Sequence, residues 1–128
     1  MVFEAAPIKF DEADVIDVKF LTGFHMGVVV GAKSGTARRK RLGAVGDIFR
    51  VHHPTKGTCP NDCLNARYVL TGVIEITLKE VADMFWDLEG VESVAEFIET
   101  WDRLPASYPT FGEMSEGFVF FHRFRRVR

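Results

Sequence analysis

Cysteine is scarce: only Cys59 and Cys63 occur in 128 residues, too few for a disulfide framework. No apolar run approaches the ~18 residues a membrane-spanning helix needs. No basic stretch followed by an apolar one opens the sequence, so a secretory leader is not expected and a cytoplasmic, membrane-free protein is. Internal repeats and low-complexity tracts are absent as well. What remains is ordinary for a globular chain, with 47% apolar and 27% charged residues. The length suits one domain over residues 1–128.

The net charge of −2 hides a division along the chain. Lys33 to Arg67 holds eight Lys or Arg against Asp47 and Asp62. Glu75 to Glu116 holds eleven acids against Lys79 and Arg103, and the tail then carries Arg123, Arg125, Arg126 and Arg128. Positive charge gathered in two strand-like segments can form one basic face for a phosphate-bearing partner. It can equally be the complement of acidic helices nearby, and charge alone leaves both readings open.

Residues 1–14, with Pro7 and the acids Asp11, Glu12 and Asp14, read as a loose lead-in. Val15 to Leu21 alternates and suits a short strand or the start of a helix. Phe24 to Val30 carries the β-branched run Val28-Val29-Val30, weak for a helix on propensity. Asp47 to His52 alternates as a strand, and residues 53–65, with Pro54, Gly57, Pro60, Asn61 and Asp62, have loop chemistry. Arg67 to Ile76 is a second strand, expected to place Tyr68, Leu70, Ile74 and Ile76 on one side, with a bulge or bend at Gly72. Capping boxes at Thr77-Leu78-Lys79-Glu80 and Ser93-Val94-Ala95-Glu96 open two helices. The first should bury Val81, Met84 and Phe85. The second should bury the stripe Val94, Phe97, Ile98, Trp101 and Leu104 before Pro105 ends it. Residues 105–116 read as a loop, and Gly117 to Val127 as a last, aromatic strand apolar on both faces. The order implies an α+β domain with a mostly antiparallel sheet.

The stretch Gly31-Ala32-Lys33-Ser34-Gly35-Thr36-Ala37-Arg38 stands between the Phe24–Val30 segment and the basic run Arg38 to Arg41. Glycines at 31 and 35 suit an exit from a helix and a turn that needs φ > 0. Thr36 and Arg38, two apart on an extended chain, point to one face, and Lys33 can lean over it. The plain alternative is two solvated cations and a β-forming threonine.

Gly31, Lys33, Thr36 and Arg38 fit Gly-x-Lys-x-x-Thr-x-Arg, the pattern of the ASCH domain (activating signal cointegrator homology) of the PUA-like superfamily. Gly46-Asp47, Glu89-Gly90 before a helix with Phe97 and Trp101, and the strand Phe118 to Phe124 resemble further parts of that family in the same order. The resemblance covers roughly residues 10 to 127. It implies a helix over Phe24–Val30 and a small PUA-like β-barrel with flanking helices, in which residues 53–65 are a loop insertion. It also implies a nucleoside or RNA partner, single-stranded RNA above duplex. Some bacterial members are N4-acetylcytidine amidohydrolases that use a Lys, a Thr and a Glu. By that resemblance Lys33 is a base, Thr36 attacks or orients water, and Glu89, with Glu75 and Glu92 as alternatives, assists proton transfer. Arg38, Arg39, Lys40 and Arg41 would hold substrate or nucleic acid.

The chemistry agrees, since a threonine hydroxyl needs a base to become a nucleophile and a lysine can serve where its surroundings favour the neutral amine. Two other readings compete. One is a non-catalytic RNA-binding module using the same cleft, or a ribonuclease. The other is a metal-stabilised interaction domain built on His52, His53, Cys59 and Cys63, four candidate zinc ligands in twelve residues. Adjacent histidines seldom share an ion, so neither metal nor cofactor is expected. Phe120 to Arg126 interleaves rings with arginines, either as a base-stacking platform or as barrel core with a charged outer side.

Overall fold

Alternating apolar residues build one five-stranded sheet. The computed structural model describes residues 8–20, 27–28, 31–52 and 65–128. The strands are β1 (Ile16–Val18), β2 (Gly35–Arg38), β3 (Ile48–Val51), β4 (Tyr68–Thr77) and β5 (Phe118–Arg126), in the order β1-β3-β4-β5-β2. Only β1 and β3 run parallel, and the other three pairings are antiparallel. Between β4 and β5 lie three helices: α1 (Leu78–Met84), α2 (Val94–Asp102) and the single turn α3 (Phe111–Met114). No helix among the described residues is long and apolar enough to cross a membrane.

The expected barrel does not close. Among the described residues β1 and β2 remain the two edges of an open sheet. One side chain reaches across, as Arg38 at the end of β2 donates through Nη2 to the carbonyl of Lys19, just past β1, at 2.6 Å. The free edge of β2 faces the 3-10 turn Trp86–Glu89 instead of a strand, so a turn and a carboxylate take the place of a ladder.

Each face of the sheet has its own core. On one, Tyr68, Leu70 and Phe124 pack with Phe49, Val51, Val18 and Val28. On the other, Val119 and Phe121 pack with Leu78, Val81, Val91, Phe97 and Trp101 of the helical layer. Strand β4 serves both because its register slips between Leu70 and Gly72: Leu70 pairs with Phe124 but Gly72 with Arg123. Thr71 is the extra residue. After a one-residue bulge every side chain changes face, so Ile76 joins the helical core. The expectation that Tyr68, Leu70, Ile74 and Ile76 share one side therefore fails at the bulge that Gly72 signalled, and Ile74 is exposed.

Helix α1 has the full reciprocal box, with Thr77 Oγ1 accepting from Glu80 N and Glu80 Oε1 from Thr77 N, both at 3.1 Å. Its buried face is Leu78, Val81 and Ala82, the i, i+3, i+4 stripe. Met84 lies off that stripe and is exposed, contrary to expectation. In α2 only half a box forms, because Ser93 accepts from Glu96 N while Glu96 reaches past it to Glu92 N. Phe97 and Trp101 are buried as expected, and Trp101 Nε1 donates to the carbonyl of Pro109. Residues 105–116 are not all loop: Thr110 accepts from Glu113 N and caps α3, through a local Thr-x-x-Glu signal. The stacking platform is likewise corrected, since Phe121 and Phe124 are core and the arginines of β5 lie outside it.

The lead-in 1–14 contains a 3-10 turn, Glu12–Asp14, capped by Asp11. Of the 24–30 helix, Gly27 and Val28 are helical and the rest lies outside the described residues. So do residues 53–64, with His53, Cys59 and Cys63 of the zinc reading. His52, the fourth candidate, sits 2.8 Å from Asp17 Oδ2.

Candidate active site

Lys33 lies between two pieces of backbone. Gly31 takes φ +84°, turning the chain out of the helical segment, and Lys33 N then donates to the carbonyl of Gly27. On its other side is Gly90, φ +81°, where any Cβ would sit 3.0 Å from the Cβ of Lys33. Glycine here satisfies a left-handed turn and a close approach at once. Gly35 differs from expectation: its φ is not positive, and it is needed because a Cβ would collide with the ring of Phe121.

The lysine side chain, only 5% exposed, ends on Glu89. Nζ donates to Glu89 Oε2 at 2.6 Å and to the Glu89 carbonyl at 3.0 Å. The second carboxylate oxygen, Oε1, accepts from Ala37 N at 2.7 Å. A donor on the free edge of β2 is thereby satisfied by a carboxylate, a charge-assisted bond. Of the three candidate acids, Glu89 alone reaches the lysine. Glu75 and Glu92 are exposed on other parts of the surface.

Thr36 and Arg38 share a face, as their spacing requires. Arg38 Nε donates to Thr36 Oγ1 at 3.1 Å, and the guanidinium lies 4.8 Å over the ring of Phe20. Burial pushes the pKa of Arg38 down, and the charge of Glu89 pulls it back up. Since Oγ1 accepts from Arg38, the hydroxyl proton points elsewhere. Arg38 thus has intramolecular work for two of its nitrogens, on Thr36 and on Lys19.

Beneath Thr36 lies a group the sequence reading missed. His122, opposite Thr36 in the β2–β5 register, is fully buried. Its Nδ1 meets the Thr36 carbonyl at 3.2 Å and its Nε2 meets Leu42 N at 2.9 Å. A carbonyl only accepts and an amide N–H only donates, so the ring is the neutral Nδ1–H tautomer. Burial holds its pKa below the ordinary 6.5, with Arg38 and Arg41 adding to the effect. A histidine in an aromatic strand gave no hint of this without the register.

Above the buried His122, a cleft of about 970 Å³ opens. Lys33, Thr36, Arg38 and Glu89 form its polar floor, and Val91, Phe97, Trp101 and Leu104 its apolar wall. Arg39 and Lys40 stand exposed at the rim, where Arg39 lies 5.3 Å over the ring of Tyr108. Arg41 turns its Nε to the carbonyl of Gly43 and does not line the cleft. Among the described residues no group of three or more His, Cys, Asp or Glu could hold a metal ion.

No family model matches the chain, and no curated protein does. Solved structures do. ASCH from Zymomonas mobilis superposes with a TM-score of 0.61 at 11% identity, covering 91% of this chain and 71% of that one. The hypothetical protein PH0355 gives 0.58 at 13% identity, covering 87% and 97%. Protein EF3133 from Enterococcus faecalis gives 0.54 at 17% identity, covering 81% and 66%. An open five-stranded mixed sheet with its helices between β4 and β5, and superposition on these chains, show that this protein shares the fold of the ASCH structure from Zymomonas mobilis.

Proposed function

We propose that the cleft binds a nucleoside, free or within single-stranded RNA, and hydrolyses an amide on it, with Thr36, Lys33 and Glu89 as the catalytic group. One observation carries the reading: a buried lysine–carboxylate pair lines the same cleft as a threonine whose oxygen already accepts from a guanidinium. That bond favours negative charge on Oγ1 and leaves the hydroxyl proton free to be taken. In the proposed step Oγ1 bonds to the acyl carbon while its proton passes to Lys33 Nζ, neutral after giving its own to Glu89. The same proton then goes to the departing amine as the C–N bond breaks, and water releases the acyl group from Thr36. The apolar wall excludes solvent around the reacting atoms.

The test is incubation with a panel of N-acylated nucleosides, read by mass spectrometry. Turnover is expected in the parent protein and not in Lys33→Ala or Thr36→Ala, with partial turnover in Thr36→Ser. Lys33→Arg should fail, since guanidinium does not act as a base near neutral pH. Full turnover by Thr36→Ala would remove the threonine from the chemistry.

A second reading has its own support. Both oxygens of Glu89 are committed, one to Lys33 and one to Ala37 N, an arrangement that also suits a rigid bolt under a binding cleft. On that reading Arg39 and Lys40 at the rim take RNA phosphates and no bond is broken. Charge reversal at Arg39 and Lys40 would then weaken RNA binding across all sequences, and Thr36→Ala would leave it intact.

A further inference from the structure

We propose that Tyr108 and Arg39 clamp the base of the ligand at the mouth of the cleft, the base entering between phenol ring and guanidinium and stacking on both. This rests on the nucleoside or RNA reading of the cleft and is independent of any hydrolysis there.

The two side chains come from opposite walls. Arg39 follows β2, and Tyr108 lies on the turn between α2 and α3. Each stands on backbone that is held on both sides. Tyr108 N donates to the Pro105 carbonyl at 2.8 Å, the prolines at 105 and 109 fix their own φ, and buried Trp101 holds the Pro109 carbonyl through its indole N–H. On the other wall Arg38 is tied to Thr36 and to the Lys19 carbonyl, and Leu42 N to buried His122. The side chains themselves stand in water: Arg39 is exposed, and Tyr108 is 42% exposed. A ring so exposed adds little to the core, yet its position over the cavity is fixed by its backbone.

Across the mouth the guanidinium lies 5.3 Å over the ring. Such a contact is weak where water reaches it. A base stacks more strongly on an aromatic ring, and a guanidinium plane stacks on a base as well. An entering base therefore exchanges one weak contact for two stacks. Seating it needs about 7–8 Å, two van der Waals contacts, so the guanidinium must retreat by about 2–3 Å from its present 5.3 Å, a shift that one rotamer change supplies. The charge of the cleft says what the flat ring is attached to. Lys19, Lys33, Arg38, Arg39 and Lys40 line it against one carboxylate, Glu89. A planar ring carrying anionic groups suits that lining, and a nucleotide is that combination. Every base has a π-face, so the clamp holds a base without reading which one it is.

The experiment compares a labelled oligouridine with an abasic ribose–phosphate strand of the same length, so that charge is constant and only the bases differ. Anisotropy between about 50 and 200 mM salt gives affinity and salt slope. The parent protein should bind the oligouridine roughly tenfold more tightly than the abasic strand, the scale of one base–aromatic stack. Tyr108→Ala should erase that preference with the salt slope unchanged, and Tyr108→Phe should keep it. Arg39→Lys, which retains the charge and loses the plane, should lose part of the preference at the same slope. Equal binding of the two strands by the parent, or binding of neither, would overturn the proposal. So would unchanged oligouridine affinity in Tyr108→Ala, an equal loss on both strands there, or full retention in Arg39→Lys, which would return Arg39 to phosphate contact. Neither readout requires turnover: a protein that prefers bases but cleaves no amide keeps the clamp and loses the hydrolase, and turnover without base preference does the reverse.

Discussion

Two buried cations among the described residues have carboxylate partners, and they differ in what surrounds the partner. Lys33 meets Glu89, whose side chain is 9% exposed, at the floor of a cleft. Arg67, as buried as Lys33, meets Glu12, whose side chain is 48% exposed. Arg67 also bonds the carbonyl of Ala66, and Arg128 joins Glu12 from the end of the chain. The second cluster ties the lead-in and the last residues to the sheet, with water free to solvate the carboxylate. The first places both charges out of water beside an open cavity, which costs desolvation that packing alone would not require. A pair kept at that cost, and lining a cleft, reads as a site; a pair with one partner in water reads as a strap.

The largest effect should come from removing one member of the buried pair. Lys33→Ala strands the carboxylate of Glu89 and should cost about 3–5 kcal/mol in urea unfolding. Replacing both, Lys33→Met with Glu89→Leu, should recover most of that stability while abolishing any turnover. If the double variant is as unstable as the single, the pair is structural and the contrast with Arg67 collapses. Arg67→Met comes next and should cost clearly less than Lys33→Ala, because water can take over its carboxylate partner.

Acid should act on two groups in turn. Folded His122 titrates below 6.5 and the unfolded imidazole near it, so below about pH 6.5 the unfolded chain binds a proton that the folded one refuses. Stability should fall as pH drops through that window and level off below the folded value. Glu12 is shifted in the same direction for a different reason, because its charged form is favoured: hydrogen bonding from Arg67 holds it below 4.5. Its contribution is present above that value and is lost as pH falls through the folded one. Melting temperature against pH should show both stages, and His122→Gln should flatten the first alone. The smallest effect belongs to Lys79→Ala, which breaks an exposed i, i+4 pair with Asp83 and should cost about 0.3–0.5 kcal/mol in the same unfolding assay.

Local signals were legible in the sequence because they act within a few residues. The capping box at Thr77, the bulge at Gly72, the stripe of α2 and the common face of Thr36 and Arg38 all follow from neighbours in the chain. The eight-residue motif also led to Glu89 through a family resemblance. What the residues alone could not show depended on register and on sequence-distant partners. Glu89 is 56 positions from Lys33, and His122 is 86 from Thr36. The open sheet was missed because closure depends on whether β1 meets β2, which neither strand's own sequence states. Met84 and Ile74 were misassigned because apolar character was read without the phase that helix length and bulge impose.

The extra residue at Thr71 has one more consequence. Because β4 gives its first half to the aromatic core and its second half to the helical one, neither core can come apart while that strand stays intact. The domain should therefore open as one cooperative unit, and the amides of β4 and β5 should be the slowest to exchange with solvent on both sides of the bulge.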